Sequence, residues 1–268
     1  MVQESPPTQS WLWNGLHFEK CISIPLSDRG FRYGMSVFES MPVQDGRVCF
    51  LPEHLDLIRH AASRKQFQFP SQSLEQVEQV LRGIRGSAFA RIYITAGDGP
   101  PQAPADHCRV AIICEKRDRV LPDAYSVWID ASTSQTEIDH LKTGNYWPNV
   151  TAFAGALHRG ANEALRFNFN ERLIGGAMAN IFLKIGGRWV TPPPEDGARC
   201  GVIREWVKTN IEVHSQSIDR ETLYAASEVF LTSSWIGVMP VSSLGGRSLE
   251  KTAEIQGLRE RLEQVYSG

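Results

Sequence analysis

A charged stretch at residues 116–123 (KRDRVLPD) interrupts a chain whose two flanks carry strand and helix patterns of similar length. Charged, Pro-containing segments resist burial. The stretch therefore reads as a linker, set at 117–122, between an N-terminal α+β domain at 11–116 and a C-terminal α+β domain at 123–268. The length of 268 residues agrees, because single hydrophobic cores stop growing near about 250 to 300 residues. Strands and helices mix without regular alternation and without a long internal repeat, which favours α+β over a doubly wound sheet or a barrel.

Residues 1–10 are polar with a Pro pair and read as a loose leader. Strands are expected at 11–18 and 47–50, on either side of the Gly-rich DRGFRYG. A helix follows from Leu51-Pro52 over LPEHLDLIRHAASRKQF, with Leu55, Ile58 and Ala62 on one face. Ser73 as N-cap with Gln76 three positions on forms a capping box leading into Val77, Val80, Leu81 and Ile84. FARIYIT (89–95) and RVAIICE (109–115) have strand composition. In the second half the pattern predicts a strand at 125–130, a long helix at 150–167, and a hairpin of NIFLKI and RWV turning through Gly186-Gly187. It also predicts a helix from Gly201, a strand at 227–232 and a terminal helix carrying Ile255, Leu258, Leu262 and Val265 on its buried face.

Composition removes several function classes. Lys plus Arg number 28 against 30 Asp plus Glu, a net charge of −2 without the basic excess of a nucleic-acid binder. The cysteines Cys21, Cys49, Cys108, Cys114 and Cys200 are odd in number and form no CxxC, which fits neither a disulfide framework nor a zinc ribbon and suits a reducing cytoplasm. No apolar run is long enough for a membrane helix, and the start lacks the basic and apolar segments of an export signal, so a soluble protein with no membrane partner is expected. GxGxxG, GxxxxGK[ST], GxSxG and HExxH are absent and the seven histidines show no metal-ligand spacing, so no metal site is expected.

Three local signals remain. Lys142 lies in HLKTGNYWPN ahead of a helix. Such a lysine is either a solvated surface charge or a Schiff-base amine, and the second role needs burial or neighbours that favour the neutral form. Gly201-Val202-Ile203-Arg204 opens a helix, where free N–H groups and the positive end of the dipole suit a phosphate. Thr232-Ser233-Ser234 supplies hydroxyls after a strand, for the same anion or for a polar turn. A lysine and two phosphate-competent loops together suggest a pyridoxal phosphate site.

Eight segments in order, WNG, DRGFRYGMSVFES, EHLDLIRHAA, LKTGNYWPN with HRGANEAL, GGAMANIF, VTPPPEDG, GVIREWV and SEVFLTSSWIGVMPV, resemble the fold-type IV pyridoxal-phosphate enzymes. This class holds branched-chain and D-amino acid aminotransferases and aminodeoxychorismate lyases. The resemblance implies two α+β domains with the cofactor between them, a homodimer, and an amino acid or keto acid substrate. It implies that Lys142 holds the cofactor as an aldimine and shuttles a proton. It further implies that Ser234 and the backbone N–H groups of Val202 and Ile203 contact the phosphate, that Asn180 sits in a SNIF-like turn, and that Tyr146 approaches the phenolic oxygen. Glu39 matches the acid of an FE motif.

The chain also departs from the family pattern. Leu57 stands where an arginine normally binds the phosphate, and Arg59 is about 200° further round the helix. Gly175 replaces the glutamate that faces the pyridine nitrogen, and Ile203 replaces a threonine. Pro42 and Ala96 stand at positions often used by substrate-binding arginines. A glycine cannot keep the ring protonated as a carboxylate does, and one lost charge-assisted phosphate bond costs about 1.5 to 3 kcal/mol. Either other residues compensate in an active aminotransferase or lyase, or the fold serves as a binding protein or in different chemistry.

Overall fold

The computed structural model describes residues 8–21, 23–133, 140–250 and 252–267. Most of the expected leader, residues 1–7, lies outside them. The chain forms two compact units, Met1–Val120 with Leu141–Asn145, and Leu121–His140 with Tyr146–Gly268.

The first unit contains β1 (Thr8–Trp13), β2 (Phe18–Lys20), α1 (Arg29–Tyr33), β3 (Ser36–Gln44), α2 (Leu51–Arg64), α3 (Ser71–Glu75), α4 (Val77–Leu81), β4 (Ser87–Thr95) and β5 (Arg109–Lys116). Its five-stranded sheet has the order β2-β1-β5-β4-β3 and is antiparallel throughout. Ile92, Ile94, Val110 and Ile112 are fully buried and pack with Leu55 and Ile58 of α2. The expected strand at 11–18 is a hairpin of β1 and β2. No strand forms at 47–50; the ladder runs through β3 instead, where Pro42 sits on an edge strand that tolerates its missing N–H. Ser73 does not cap a helix start. Its hydroxyl donates to the Pro70 carbonyl from inside α3, and Gln76 separates α3 from α4.

The motif DRGFRYG closes the far end of this sheet. Asp28 accepts from the Gly30 N–H at 2.7 Å, from Thr95 Oγ1 at 2.8 Å and from Arg109 Nη1 at 2.8 Å. Arg29, 1% exposed, donates to the carbonyls of Gly97 (3.2 Å), Ala103 (2.6 Å), Pro104 (3.1 Å) and Ala96. A buried guanidinium thus ties the loop after β4 to the start of α1.

The second unit contains β6 (Tyr125–Thr133), α5 (Trp147–His158), β7 (Glu163–Phe167), β8 (Leu173–Gly176), β9 (Asn180–Ile185), β10 (Arg188–Thr191), a 3₁₀ turn (Pro194–Asp196), α6 (Val202–Asn210), β11 (Val213–Ser215), α7 (Arg220–Tyr224), β12 (Glu228–Ser233), β13 (Gly237–Leu244), β14 (Arg247–Ser248) and α8 (Ala253–Ser267). The sheet order is β11-β10-β9-β12-β13-β6-β7-β8, with β14 paired to β13. The Gly186-Gly187 hairpin forms as expected, both residues having positive φ (56° and 79°). The long helix expected at 150–167 ends at His158: Gly160 takes φ 70° while the N–H groups of Gly160 and Ala161 bond the carbonyls of Leu157 and Ala156. That arrangement is a Schellman stop, and it frees 163–167 to form β7. Ile255, Leu258 and Leu262 of α8 are buried, whereas Val265 is exposed.

The segment Leu141–Asn145 belongs to the first unit, not to the C-terminal domain in which Lys142 was expected. Backbone pairing is the reason. The Phe38 N–H donates to the Lys142 carbonyl at 2.9 Å, Thr143 bridges Val37, and the Gly144 N–H donates to the Ser36 carbonyl at 2.9 Å.

Candidate active site

Lys142 is half-buried, with Nζ 5.2 Å from the centre of the Phe38 ring, which itself stacks on Tyr93. The backbone bonds to β3 fix where the flexible side chain starts, and the ring restricts where its amine can travel. On the same strand Glu39 accepts from His54 Nδ1 at 3.1 Å, both residues being 2% exposed. The FE acid is thereby engaged with the first residue of the HLDL sequence in α2. Arg59 pairs with Asp56 at 2.7 Å on the surface, so it is committed locally.

In the second unit Tyr146 Oη lies 3.4 Å from the Ala177 carbonyl, which also accepts from Asn149 Nδ2 at 2.7 Å. Asn149 Oδ1 accepts from Arg166 Nη1 at 2.9 Å. Arg166, 5% exposed, stands directly across the ladder from Gly175. Asn149 lies on α5 and Arg166 on β7, so the packing of α5 against β7 brings them together, which no short stretch of sequence reveals. Gly175 has φ 149°, a conformation that disfavours an L side chain. Where the resemblance implies a carboxylate, this chain has a glycine beside a buried guanidinium.

Asn180, Val202 and Ile203 are brought together. Asn180 Nδ2 donates to the Arg199 carbonyl at 2.7 Å, and a Cβ on Gly201 would fall 2.4 Å from Asn180 Oδ1. Gly201 offers no side-chain cap to α6, so the first N–H groups of that helix, including those of Val202 and Ile203, have no intrahelical acceptor. Thr232 is paired with Asn180 across the β9–β12 ladder, and its hydroxyl is buried without a hydrogen-bond partner. α6 packs against β12. Ser234 follows the end of β12, and its carbonyl accepts from Tyr266 Oη at 3.0 Å. An uncapped helix start and an orphaned hydroxyl fit a phosphate-bearing cofactor.

Glu163 is buried at the start of β7. Its carboxylate accepts from the N–H groups of Ala164 (2.8 Å), Ala177 (3.1 Å) and Met178 (3.1 Å), pinning the β8–β9 turn. Burial pushes its pKa up from 4.5 to about 7, against the lowering effect of those bonds. The native state therefore holds a proton more tightly than the unfolded chain between these values, and stability falls as pH rises through that window, then levels off above it. Glu163→Gln cannot titrate. Between pH 5 and pH 8 the wild type should lose on the order of 3 kcal/mol relative to this variant. Denaturant unfolding at the two pH values checks it; parallel curves would refute the assignment.

The profile of the family described as amino-transferase class IV matches residues 36–244, which is most of the chain. The chain belongs to the class IV aminotransferases. A branched-chain-amino-acid aminotransferase of Salmonella typhimurium is 26% identical over 272 residues, covering 91% of this chain and 87% of that one. The aminodeoxychorismate lyase of Bacillus subtilis is 23% identical, with 87% of each chain covered. Among solved structures, a branched-chain aminotransferase from Thermoproteus uzoniensis crystallised with norvaline superposes with a TM-score of 0.84 at 23% identity, over 97% of this chain and 95% of that one. As a class IV aminotransferase the chain is an aminotransferase or lyase of the α+β fold, and the cofactor of the class is pyridoxal phosphate. No helix among the described residues is long and apolar enough to cross a membrane, and no cluster of potential metal ligands is found among them.

Proposed function

We propose that this class IV enzyme is an aminotransferase acting on a small amino acid and keto acid, with Lys142 as the residue that bonds the cofactor. The half-buried Lys142, anchored through β3 and set against Phe38, carries this reading. Pyridoxal phosphate supplies an aldehyde that condenses with amines and a conjugated ring that accepts negative charge. Lys142 Nζ would supply the amine that joins the cofactor and, as a free amine, would accept and return a proton at the substrate Cα. The N–H groups of Val202 and Ile203, with Ser234, would hold the phosphate, and Asn180 shapes the loop before α6 through the Arg199 carbonyl. Tyr146 offers a hydroxyl to the phenolic oxygen.

The same reading makes the enzyme a cytoplasmic homodimer. Five free cysteines suit a reducing compartment. The test is a pair of assays on protein reconstituted with pyridoxal phosphate: amino transfer from a branched-chain amino acid to 2-oxoglutarate, and pyruvate release from aminodeoxychorismate. Transfer without elimination is expected; pyruvate release alone would assign the lyase reaction instead.

A further inference from the structure

The class IV phosphate arginine is absent at Leu57, yet the second unit holds a guanidinium at the mouth of the phosphate-competent loop. Arg199 Nη1 lies 3.8 Å from the point that a Cβ on Gly201 would occupy. Its own carbonyl is held by Asn180 Nδ2 at 2.7 Å, which fixes the backbone from which the side chain departs. On the other side of Asn180, Thr232 Oγ1 is buried on a residue 1% exposed and has no partner. Directly opposed residues of a ladder share a sheet face with Cβ atoms about 5 Å apart, so the Thr232 hydroxyl is directed to the face on which Asn180 meets Gly201. The start of α6 thus has two uncapped N–H groups, with the Arg199 guanidinium near Gly201 and an unused hydroxyl on the sheet face that carries Asn180.

We propose that Arg199 supplies the positive charge for the cofactor phosphate in this protein and that Thr232 supplies a hydroxyl to the same group. This rests on the pyridoxal-phosphate reading above. The guanidinium matches a tetrahedral phosphate through paired, charge-assisted hydrogen bonds. The helix start adds N–H donors, and glycine at 201 makes room beside them for the Asn180 amide. The charge thus comes from a residue three positions before α6, not from α2.

Pyridoxal, which lacks the phosphate, separates this role from any contact with the ring. Dissociation constants of pyridoxal phosphate and pyridoxal are measured by absorbance, with borohydride trapping to confirm attachment, for the wild type, Arg199→Leu, Arg199→Lys and Thr232→Val. Arg199→Leu should weaken pyridoxal phosphate binding by about 10- to 100-fold and leave pyridoxal unchanged, with Arg199→Lys recovering part of the loss. Thr232→Val should weaken pyridoxal phosphate by about 2- to 10-fold. Equal losses for both ligands, or no change in either, would overturn the proposal while leaving the enzyme reading intact. Failure of the wild type to bind either aldehyde would overturn both.

Discussion

Lys142→Ala should abolish borohydride-fixed attachment of pyridoxal phosphate and lower amino transfer by at least about 10³-fold, since one residue acts as both nucleophile and proton carrier. The fold should survive the change. The segment is held by backbone bonds from Phe38 to the Lys142 carbonyl and from Gly144 to Ser36, which an alanine keeps. Lys184, by comparison, is engaged by Glu228 at 2.9 Å and by Glu254 at 2.6 Å, and those carboxylates favour its charged, non-nucleophilic form. Peptide mapping after reduction decides the matter: a modified peptide elsewhere than 142, or an unchanged absorption band in Lys142→Ala, would remove the lysine from the mechanism.

Arg29→Ala should destabilise the first unit by about 3 to 5 kcal/mol. Two effects add. Several carbonyls of the loop after β4 lose their donor in a site where water does not replace it, and a fully buried long side chain leaves a cavity. The neighbouring backbone cannot collapse to fill it, because Gly97 already packs so close to the His107 carbonyl that a Cβ there would fall 2.1 Å from the oxygen. Arg59→Ala is the control: its exposed pair with Asp56 should cost no more than about 0.5 kcal/mol. Urea unfolding of both variants checks the contrast, and equal midpoints would show that Arg29 is not a fastener.

Features written in neighbouring residues were legible from the sequence. The Gly186-Gly187 hairpin, the start of α6 at Gly201 and the apolar face of α8 each depend on a few adjacent side chains. β3 was hidden because SVFESMPVQ is buried on nearly every residue and shows no alternation, and because Pro42 argues against a strand unless the strand is known to lie at an edge. The helix after Lys142 reads too long because apolar and small residues recur on both sides of His158 without a proline between them; the left-handed Gly160 marks its end. Lys142 and the helix start at Val202 and Ile203 stand out as local signals, and the resemblance adds Asn180 to them. The placements of Arg199, Arg166 and Asn149 follow from loop closure, ladder register and the packing of α5 on β7, which no short stretch of sequence contains. The loss at Gly175 was legible, but not its positive φ, which makes restoring a glutamate there a backbone problem as well as a charge problem.

The order in which strands leave the ribosome differs from the order in which they pair. The first unit remains one strip short until Leu141–Asn145 has been made, by which time β6 has already emerged. β6 must then wait for β13, because Tyr125 pairs with Val241 in the finished sheet. At roughly 5 to 20 residues per second this interval is on the order of ten seconds. Throughout it β6 presents an open hydrogen-bonding edge, so in the second unit the hazard of strand-to-strand association during synthesis ends only when β13 docks.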